Sequence, residues 1–179
     1  MQNETIISGF GGQGVLFIGK VMAYAALEEG LEVTWFPSYG PEMRGGTANC
    51  TVVISDEEIG SPQAFKPRAV IVMNLPSLDK YEDDVAPGGY LVINTSLISR
   101  KIKRNDIQVI EVPGTELAEE MGDKRLANSI LLGALLAKAD CVKMENAEKG
   151  LEKSLSGGKK DLLEINKQAM RKGAAYIQG

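Results

Sequence analysis

One stretch near the start of the sequence predicts the fold of this chain: Thr5-Ile6-Ile7-Ser8-Gly9-Phe10-Gly11-Gly12-Gln13-Gly14-Val15. Its first four residues are an apolar run that predicts a buried strand. Glycines at positions 9, 11 and 14 then follow at the spacing G-x-G-x-x-G, and apolar residues at helical spacing continue to about Glu29. A strand that turns through glycines directly into a helix is typical of the opening unit of an α/β sheet.

Strand-like and helix-like segments alternate along the rest of the chain. The predicted strands cover residues 4–8, 31–36, 47–55, 69–73, 90–94 and 107–112. The predicted helices cover residues 13–29, a short segment ending near 81, 115–121, 126–139 and one or two surface helices within 143–176, broken at Ser156-Gly157-Gly158. The alternation predicts one α/β domain over residues 1–179, with a Rossmann-like, mostly parallel sheet and helices on both faces.

Composition excludes several classes of partner. The chain of 179 residues has a net charge of −4 and a pI near 5.0, so its overall field repels nucleic acid. We find no apolar run long enough to span a membrane and no secretory signal pattern at the N-terminus. The sequence therefore predicts a cytoplasmic protein that binds neither nucleic acid nor membrane.

The chain lacks the residues of a self-contained enzyme. It has no histidine, and its two cysteines, Cys50 and Cys141, are far apart in the sequence. A zinc site or an iron–sulfur cluster needs about four such ligands close together, so we expect no metal on this chain. Nor does any motif pair a nucleophile with a base, so we predict no catalytic residue here.

The first glycine loop is a candidate phosphate site. Its residues are Gly9, Gly11, Gly12, Gln13 and Gly14. Free N–H groups at the start of the following helix, and the partial positive charge there, attract anions. A dinucleotide site also needs an acidic residue at the end of the second strand, but that strand ends in Trp35-Phe36, which argues against NAD. A tight turn that binds nothing is an equally good interpretation.

A second glycine-rich loop follows the second strand. It comprises Ser38, Tyr39, Gly40, Pro41, Glu42, Met43, Arg44, Gly45 and Gly46. Ligands of open α/β sheets bind at the carboxyl ends of the strands, where we expect this loop to lie. Arg44 can bind a carboxylate or phosphate through two parallel hydrogen bonds. An ion pair between Glu42 and Arg44 is the simpler alternative, but the exposed methionine and tyrosine favour a contact surface.

Together the two loops resemble a known family. Residues 9–15 and the run Pro-Ser-Tyr-Gly-Pro-Glu-Met-Arg-Gly-Gly-Thr-Ala-Asn-Cys at 37–50 resemble the gamma subunit of 2-oxoacid:ferredoxin oxidoreductases, most closely its 2-oxoglutarate branch. The similarity continues through residues 73–77, Ala127-Asn128 and residues 132–134, and so covers nearly the whole chain.

The resemblance implies a subunit of a larger enzyme. Such a complex converts a 2-oxoacid and coenzyme A into acyl-CoA and carbon dioxide and passes the electrons to ferredoxin. Thiamine diphosphate, magnesium and the iron–sulfur clusters are implied to reside on partner chains, which are the alpha, beta and ferredoxin-like delta subunits. The gamma chain is implied to pack against the alpha subunit and to take part in binding coenzyme A (CoA).

Carried over to this sequence, the resemblance assigns roles to both loops. We predict that the helix start at Gln13-Gly14 faces the CoA phosphates, and that Glu42 and Arg44 dock on the alpha subunit. Asn74 and Asn128 are added as amides that reach the same cleft, although helix caps or turn stabilisers explain them as well.

Three other functions stay open at this stage. The chain fits the same role for pyruvate, a branched-chain 2-oxoacid or indolepyruvate, because the substrate is chosen at the thiamine site. It also fits a free-standing nucleotide- or coenzyme-binding protein. A subunit that binds no small molecule is the third alternative.

Overall fold

The computed structural model describes residues 2–38, 47–155 and 160–179. Six strands form one sheet in the order β2-β3-β1-β4-β5-β6. Their bounds are β1 Gln2–Phe10, β2 Glu32–Ser38, β3 Thr47–Ser55, β4 Ala69–Val72, β5 Tyr90–Asn94 and β6 Gln108–Val112. The predicted break at Ser156-Gly157-Gly158 lies outside the described residues.

Five of the six strands run in the same direction. β1, β4, β5 and β6 are hydrogen-bonded in parallel, with Ile7 beside Ile71 and Val92 beside Ile110. β3 is the exception, since it pairs antiparallel with both β1 and β2. The prediction of an α/β, mostly parallel sheet is confirmed, but β2 is not a parallel neighbour of β1 as in a dinucleotide-binding domain, because β3 lies between them.

Within the described residues, six α-helices cover the two faces of the sheet. Their bounds are α1 Val15–Glu28, α2 Leu75–Tyr81, α3 Gly114–Glu120, α4 Ala127–Leu136, α5 Met144–Ser154 and α6 Lys160–Gln178. α1, α4, α5 and α6 contribute to the larger core, with Ile7, Val52 and Ile71 on that face of the sheet. α2 covers the opposite face, where Leu78 and Tyr81 pack against alternate residues of β1, β4 and β5.

Helices α4 and α6 approach each other at two glycines. A Cβ atom on Gly133 would overlap the carbonyl oxygen of Met170, and one on Gly173 would overlap that of Ile130. Each helix therefore packs backbone to backbone against the other, which only glycine permits. Because of this contact, α4 is packed between the sheet and α6, and its residues 128–135 are all buried.

A segment of basic residues after β5 is anchored beyond the end of α2. We call residues 99–106 the strap. Glu82, only 3% exposed, accepts hydrogen bonds from the Arg100 guanidinium at 2.7 Å and from the Lys103 N–H at 2.5 Å. Arg104 donates to the Val85 carbonyl at 2.7 Å and pairs with Asp106. Burial alone raises the pKa of the Glu82 carboxyl, but the Lys103 N–H and Arg100 outweigh it and hold that pKa below its usual value.

Candidate functional site

The glycine loop joins β1 to α1 through two left-handed residues. Gly12 has φ +91° and Gly14 has φ +75°, a region that other residues rarely adopt. The Gln13 N–H donates to the Phe10 carbonyl at 3.2 Å, which closes the turn. Gly14 is the residue that caps α1, and its carbonyl accepts the first helical hydrogen bond from Ile18.

The side chain of Gln13 stabilises the loop through two hydrogen bonds. Its Oε1 accepts a 2.6 Å hydrogen bond from the Phe10 N–H, and its Nε2 donates to the Met73 carbonyl at 3.5 Å. A Cβ on Gly9 would lie 2.6 Å from the same Oε1 atom, so glycine is needed there. Gln13 therefore ties the loop to the end of β4.

Asn128 holds the loop from the other side. Its Nδ2 donates to the Gly14 carbonyl at 3.3 Å, and its Oδ1 accepts from the Ser129 N–H at 2.7 Å. Any Cβ on Gly14 would collide with this amide. Asn128 thus fixes the start of α1 against α4 across a sequence separation of 114 residues.

Asn74 caps α2, which is the alternative role considered for it. Its Oδ1 accepts a 2.9 Å hydrogen bond from the Ser77 N–H, and the residue is 2% exposed. Neither Asn74 nor Asn128 is among the described residues that line the cleft beside the glycine loop. Their structural roles are therefore plain, while their predicted contact with a ligand stays untested.

A cleft of about 360 Å³ opens at the carboxyl ends of β1, β4 and β5. Ligands in open α/β sheets bind at this edge. The described residues that line it come from the glycine loop, the strand ends, α3 and the turn before α4: Gly12, Gln13, Met73, Asn94, Leu97, Thr115, Glu119, Lys124, Arg125 and Ala127.

The charges of the cleft favour an anion. Lys124 is exposed, and its side chain has no hydrogen bond or ion pair within the described part of the chain. Arg125 is 80% exposed and pairs with Asp123 at 2.7 Å, and the hydrogen bonds from Arg125 hold the pKa of Asp123 below its usual value. Glu119 is the one carboxylate among the described lining residues, and Asp123 already pairs with Arg125, so the Lys124 side chain is left as the unpaired cation of the wall.

A second cavity of about 270 Å³ lies on the other side of the loop and shares Gly12 with the cleft. Its described walls include Gly11, Gly14 and the first helical turn, residues 15–17. The first hydrogen bond of α1 is donated by Ile18, so the N–H groups of residues 15–17 have no acceptor within the helix. These donors, with the helix dipole behind them, suit a phosphate group.

The second glycine-rich loop falls outside the described residues. Ser38, its first residue, ends β2, is exposed and pairs in register with Asn49. The predicted roles of Tyr39, Gly40, Pro41, Glu42, Met43, Arg44, Gly45 and Gly46 cannot be placed on the structure. On the far side of the loop, Thr47 pairs with Phe10, so β3 starts beside the first glycine loop.

The cleft is lined by five polar residues that sequence reasoning missed: Asn94, Thr115, Glu119, Lys124 and Arg125. Asn94 ends β5, and its amide exchanges hydrogen bonds with Thr115 at 2.9 and 3.3 Å. The sequence signal for Asn94 was its place at the end of a buried strand. Lys124 and Arg125 carried a weaker signal, a pair of basic residues just before an apolar helix.

The described residues hold no cluster of metal ligands and no exposed thiol. No group of three or more potential metal ligands occurs among them. Both thiols are buried, which raises the pKa of Cys50 to about 12 and that of Cys141 to about 11. Within the same residues no helix is long and apolar enough to cross a membrane. Neither thiol is among the described residues that line the cleft.

This chain is an α/β domain with a glycine loop and a cleft at the carboxyl edge of its sheet. The family described as pyruvate ferredoxin/flavodoxin oxidoreductase matches residues 4–176. The chain therefore belongs to that family, and the family predicted from its two loops is confirmed.

Two curated relatives illustrate the range of names in the family. The 2-oxoglutarate synthase subunit KorC of Methanocaldococcus jannaschii is 37% identical over 172 residues, covering 93% of this chain and 92% of the relative. The ketoisovalerate oxidoreductase subunit VorA of Methanothermobacter thermautotrophicus is 38% identical over 172 residues and covers 96% of this chain. The chain spans only 36% of the length of VorA, about a third, in each of two Methanothermobacter species.

Two solved structures share the fold. The gamma subunit of a keto/oxoacid ferredoxin oxidoreductase from Geobacter sulfurreducens has a TM-score of 0.85 and 30% identity, with 98% of both chains covered. A 2-oxoglutarate:ferredoxin oxidoreductase from Magnetococcus marinus, solved with 2-oxoglutarate, coenzyme A and succinyl-CoA, has a TM-score of 0.88 at 24% identity. It covers 99% of this chain and 31% of its own, and at that identity it supports the fold alone.

Proposed function

We propose that this chain is the gamma subunit of a 2-oxoacid:ferredoxin oxidoreductase and that it binds coenzyme A for the complex. The observation that carries the proposal is the cleft beside the glycine loop, whose wall includes the unpaired Lys124 side chain and the exposed Arg125. Such a site binds an anionic ligand and leaves the chemistry to other chains. A cytoplasmic location stays part of the proposal.

Coenzyme A fits the two cavities chemically. Its phosphate groups are anionic, and the free N–H groups of residues 15–17 and the exposed Lys124 and Arg125 lie on the two sides of Gly12. Charge-assisted hydrogen bonds to phosphate are among the stronger polar contacts in proteins. The glycine loop allows the ligand to approach the backbone closely, while Gln13 and Asn128 keep that backbone fixed.

The remaining groups of the reaction belong to partner chains in this proposal. Thiamine diphosphate with its magnesium would supply the carbanion chemistry, and iron–sulfur clusters would carry the electrons to ferredoxin. Alpha, beta and delta subunits would hold them. The KorC and gamma-subunit relatives, which match the chain over nearly their whole length, support assembly of this kind.

We propose 2-oxoglutarate as the substrate of the complex. The KorC relatives from three archaea support this choice, with identities between 34% and 37% over most of both chains. The VorA relatives support a branched-chain 2-oxoacid as the alternative. The cleft described here bears on coenzyme A rather than on the 2-oxoacid.

Anaerobic purification of the tagged chain from its native cells tests the assembly. We expect stoichiometric recovery of thiamine-binding and ferredoxin-like subunits, identified by mass spectrometry, and ferredoxin reduction that requires 2-oxoglutarate and coenzyme A. Reproducible recovery of the chain alone would instead favour a free-standing coenzyme-binding protein.

Lys124→Ala tests the coenzyme A site in the purified complex. We expect the KM for coenzyme A to rise about tenfold, the loss of one charge-assisted contact, while the KM for the 2-oxoacid stays constant. Lys138→Ala, an exposed lysine beyond the end of α4, is the matched control. Gly14 is a poor choice for this test, because any side chain there collides with Asn128. An unchanged KM in the Lys124 variant would remove Lys124 from the site.

A further inference from the structure

A buried amide in the wall of the cleft binds one polar residue of α3. Asn94 ends β5 and is only 1% exposed, yet it belongs to the described wall of the cleft. Its Oδ1 accepts a hydrogen bond from the Thr115 N–H at 3.3 Å, and its Nδ2 donates to the Thr115 Oγ1 at 2.9 Å. Thr115 is half-buried and lines the same cleft. Asn94 therefore holds Thr115 through both its backbone and its side chain.

The orientation of the Asn94 amide follows from the Thr115 backbone. A backbone N–H can only donate, so the amide atom that faces it is the oxygen, and the amide nitrogen is left beside Oγ1. That nitrogen also can only donate, so the Thr115 hydroxyl oxygen is the acceptor of the second hydrogen bond. The backbone of Asn94 is fixed as well, because its carbonyl accepts from the N–H groups of Leu97 and Ile98. The pair of hydrogen bonds thus has one polarity.

This polarity leaves the hydroxyl proton of Thr115 unused. A hydroxyl has one proton to donate, and the hydrogen bond from Asn94 does not use it. Among the residues that the structure describes, none accepts a hydrogen bond from the Thr115 side chain. In the wall of the cleft, Thr115 therefore offers a donor that lacks an acceptor.

The other residues around Thr115 limit the kind of ligand group that fits. Glu119 also lines the cleft, and its carboxylate has no hydrogen bond or ion pair within the described chain. It follows Thr115 by four residues in α3, so the two side chains lie on one face of the helix. A carboxylate repels a phosphate, whereas an amide can accept from Thr115 through its C=O and donate to Glu119 through its N–H. Met73 and Leu97 add an apolar part to the same wall.

We propose that Asn94 is a positioning residue, which holds the Thr115 hydroxyl as a hydrogen-bond donor to an amide carbonyl of the ligand. In coenzyme A the amides belong to the pantetheine arm, whereas the anionic groups belong to the nucleotide end. The inference rests on the proposed function and divides the cleft between the two ends of the ligand. α3 binds the arm, and Lys124 and Arg125 bind phosphate.

Two ligands of the purified complex separate the arm from the nucleotide end. The first is desulfo-coenzyme A, which keeps the arm but lacks the reactive thiol. The second is adenosine bisphosphate, which has the adenine, ribose and phosphate of the nucleotide end but no arm. Titration calorimetry measures the Kd of each ligand.

Thr115→Val replaces the hydroxyl by a methyl group of similar shape. We expect the Kd for desulfo-coenzyme A to rise about fivefold, the loss of one neutral hydrogen bond, while the Kd for adenosine bisphosphate stays constant. Thr115→Ser keeps the hydroxyl and should bind both ligands as the natural chain does.

Asn94→Asp tests the positioning role itself. A carboxylate accepts from both the N–H and the hydroxyl of Thr115, so the proton turns away from the ligand and a lone pair takes its place. The added negative charge weakens the binding of both anionic ligands, so the informative quantity is the Kd for desulfo-coenzyme A divided by that for adenosine bisphosphate. We expect this ratio to rise about fivefold. Added to Thr115→Val, Asn94→Asp should not raise the ratio further, because no hydroxyl is left to turn.

Ser96→Ala is the matched control. The Ser96 Oγ accepts the Glu116 N–H at 3.2 Å and so supports the same turn of α3, but neither residue belongs to the described wall of the cleft. Both Kd values should equal those of the natural chain. A raised ratio in this control would overturn the inference, as would an unchanged ratio in Thr115→Val, and the proposed function would stand. Failure of the natural complex to bind desulfo-coenzyme A would overturn the proposed function itself.

Discussion

The two ends of α2 differ in whether the charged groups near them are paired within the chain. Beyond its last turn, the strap satisfies its charges internally, with Glu82 bound to Arg100 and Lys103, and Arg104 bound to Asp106. At its first turn, the exposed residues Leu75 and Pro76 are uncharged, and in the wall of the cleft the Lys124 side chain has no hydrogen bond or ion pair within the described part of the chain. Polar groups that are paired within the chain stabilise the fold, whereas groups left unpaired at an edge are free to bind a ligand or partner.

The glycine loop combines both kinds of group. The side-chain amides of Gln13, in the loop, and of Asn128, in α4, hold the loop backbone through hydrogen bonds. Its N–H groups in the first turn of α1 are left without helical acceptors. The backbone of the loop is therefore fixed by hydrogen bonds, while the N–H groups of the first turn of α1 remain available to a ligand.

The largest expected effect comes from breaking the strap. Glu82→Ala leaves the Lys103 N–H and part of Arg100 without an acceptor, and we expect a loss of about 3 kcal/mol in the free energy of unfolding. The measurement is chemical denaturation of the purified chain. The KM for coenzyme A of the complex should not change.

Asp79→Asn is the matched control for Glu82. Asp79 pairs with the same arginine, but its side chain is 56% exposed, so we expect almost no change in stability. If both variants lost equal stability, burial would not be what distinguishes the two carboxylates.

The next effect separates two glycines of one loop. Gly14→Ala should cost about 2 kcal/mol, because the new Cβ adds a collision with Asn128 to the strain of positive φ. Gly12→Ala should cost about half as much, since φ is also positive but no atom lies within 4 Å of its Cβ. Chemical denaturation of the two variants side by side measures the difference in the free energy of unfolding. Equal losses would show that the Asn128 side chain moves away from the new Cβ with little loss of stability.

A smaller effect should follow acidification. The pKa of Glu82 is lowered in the folded chain, so its stabilisation is present above the unfolded value of about 4.3 and is lost as the pH falls below it. Unfolding curves from pH 6 to pH 3 should therefore fall more steeply for the natural chain than for Glu82→Gln. Asp106 and Asp123 have lowered pKa values in both proteins and so contribute equally to the two curves. Parallel curves would contradict the role of Glu82.

The smallest effect concerns the two thiols. Because burial raises the pKa of Cys50 to about 12 and of Cys141 to about 11, native protein at pH 8 should react with maleimide hardly at all. Both thiols should react once the chain is unfolded in denaturant. Fast labelling of the native chain would reveal local opening around β3 or the segment before α5.

Much of the fold was predictable from the sequence. The predicted strands at 47–55 and 90–94 match β3 and β5, because runs rich in β-branched and apolar residues stand between turns. The antiparallel direction of β3 was not predicted, since it depends on which strand it meets rather than on its own residues. The predicted helix at 126–139 is shorter in the structure, Ala127–Leu136, because turns occupy its last residues.

The site was predictable in part. The glycine loop was found because its spacing, strand and helix are contiguous in the sequence. Lys124 and Arg125 follow it more than a hundred residues later, and only the packing of α4 beside α1 brings them to the same cleft. The amides of Asn74 and Asn128 hydrogen-bond to the backbone, which is the alternative role that the sequence offered for both, and their contact with a ligand stays a prediction.

The glycine contact between α4 and α6 has a consequence for how the chain folds during synthesis. The backbone of Met170 is what covers Gly133, and α6 is the last of the six helices to be made. Until α6 emerges from the ribosome, the apolar helix α4 has one side without its closest neighbour. Such late, long-range contacts slow folding and leave apolar surface exposed meanwhile. A nascent chain arrested before residue 160 should therefore be the form most in need of a chaperone.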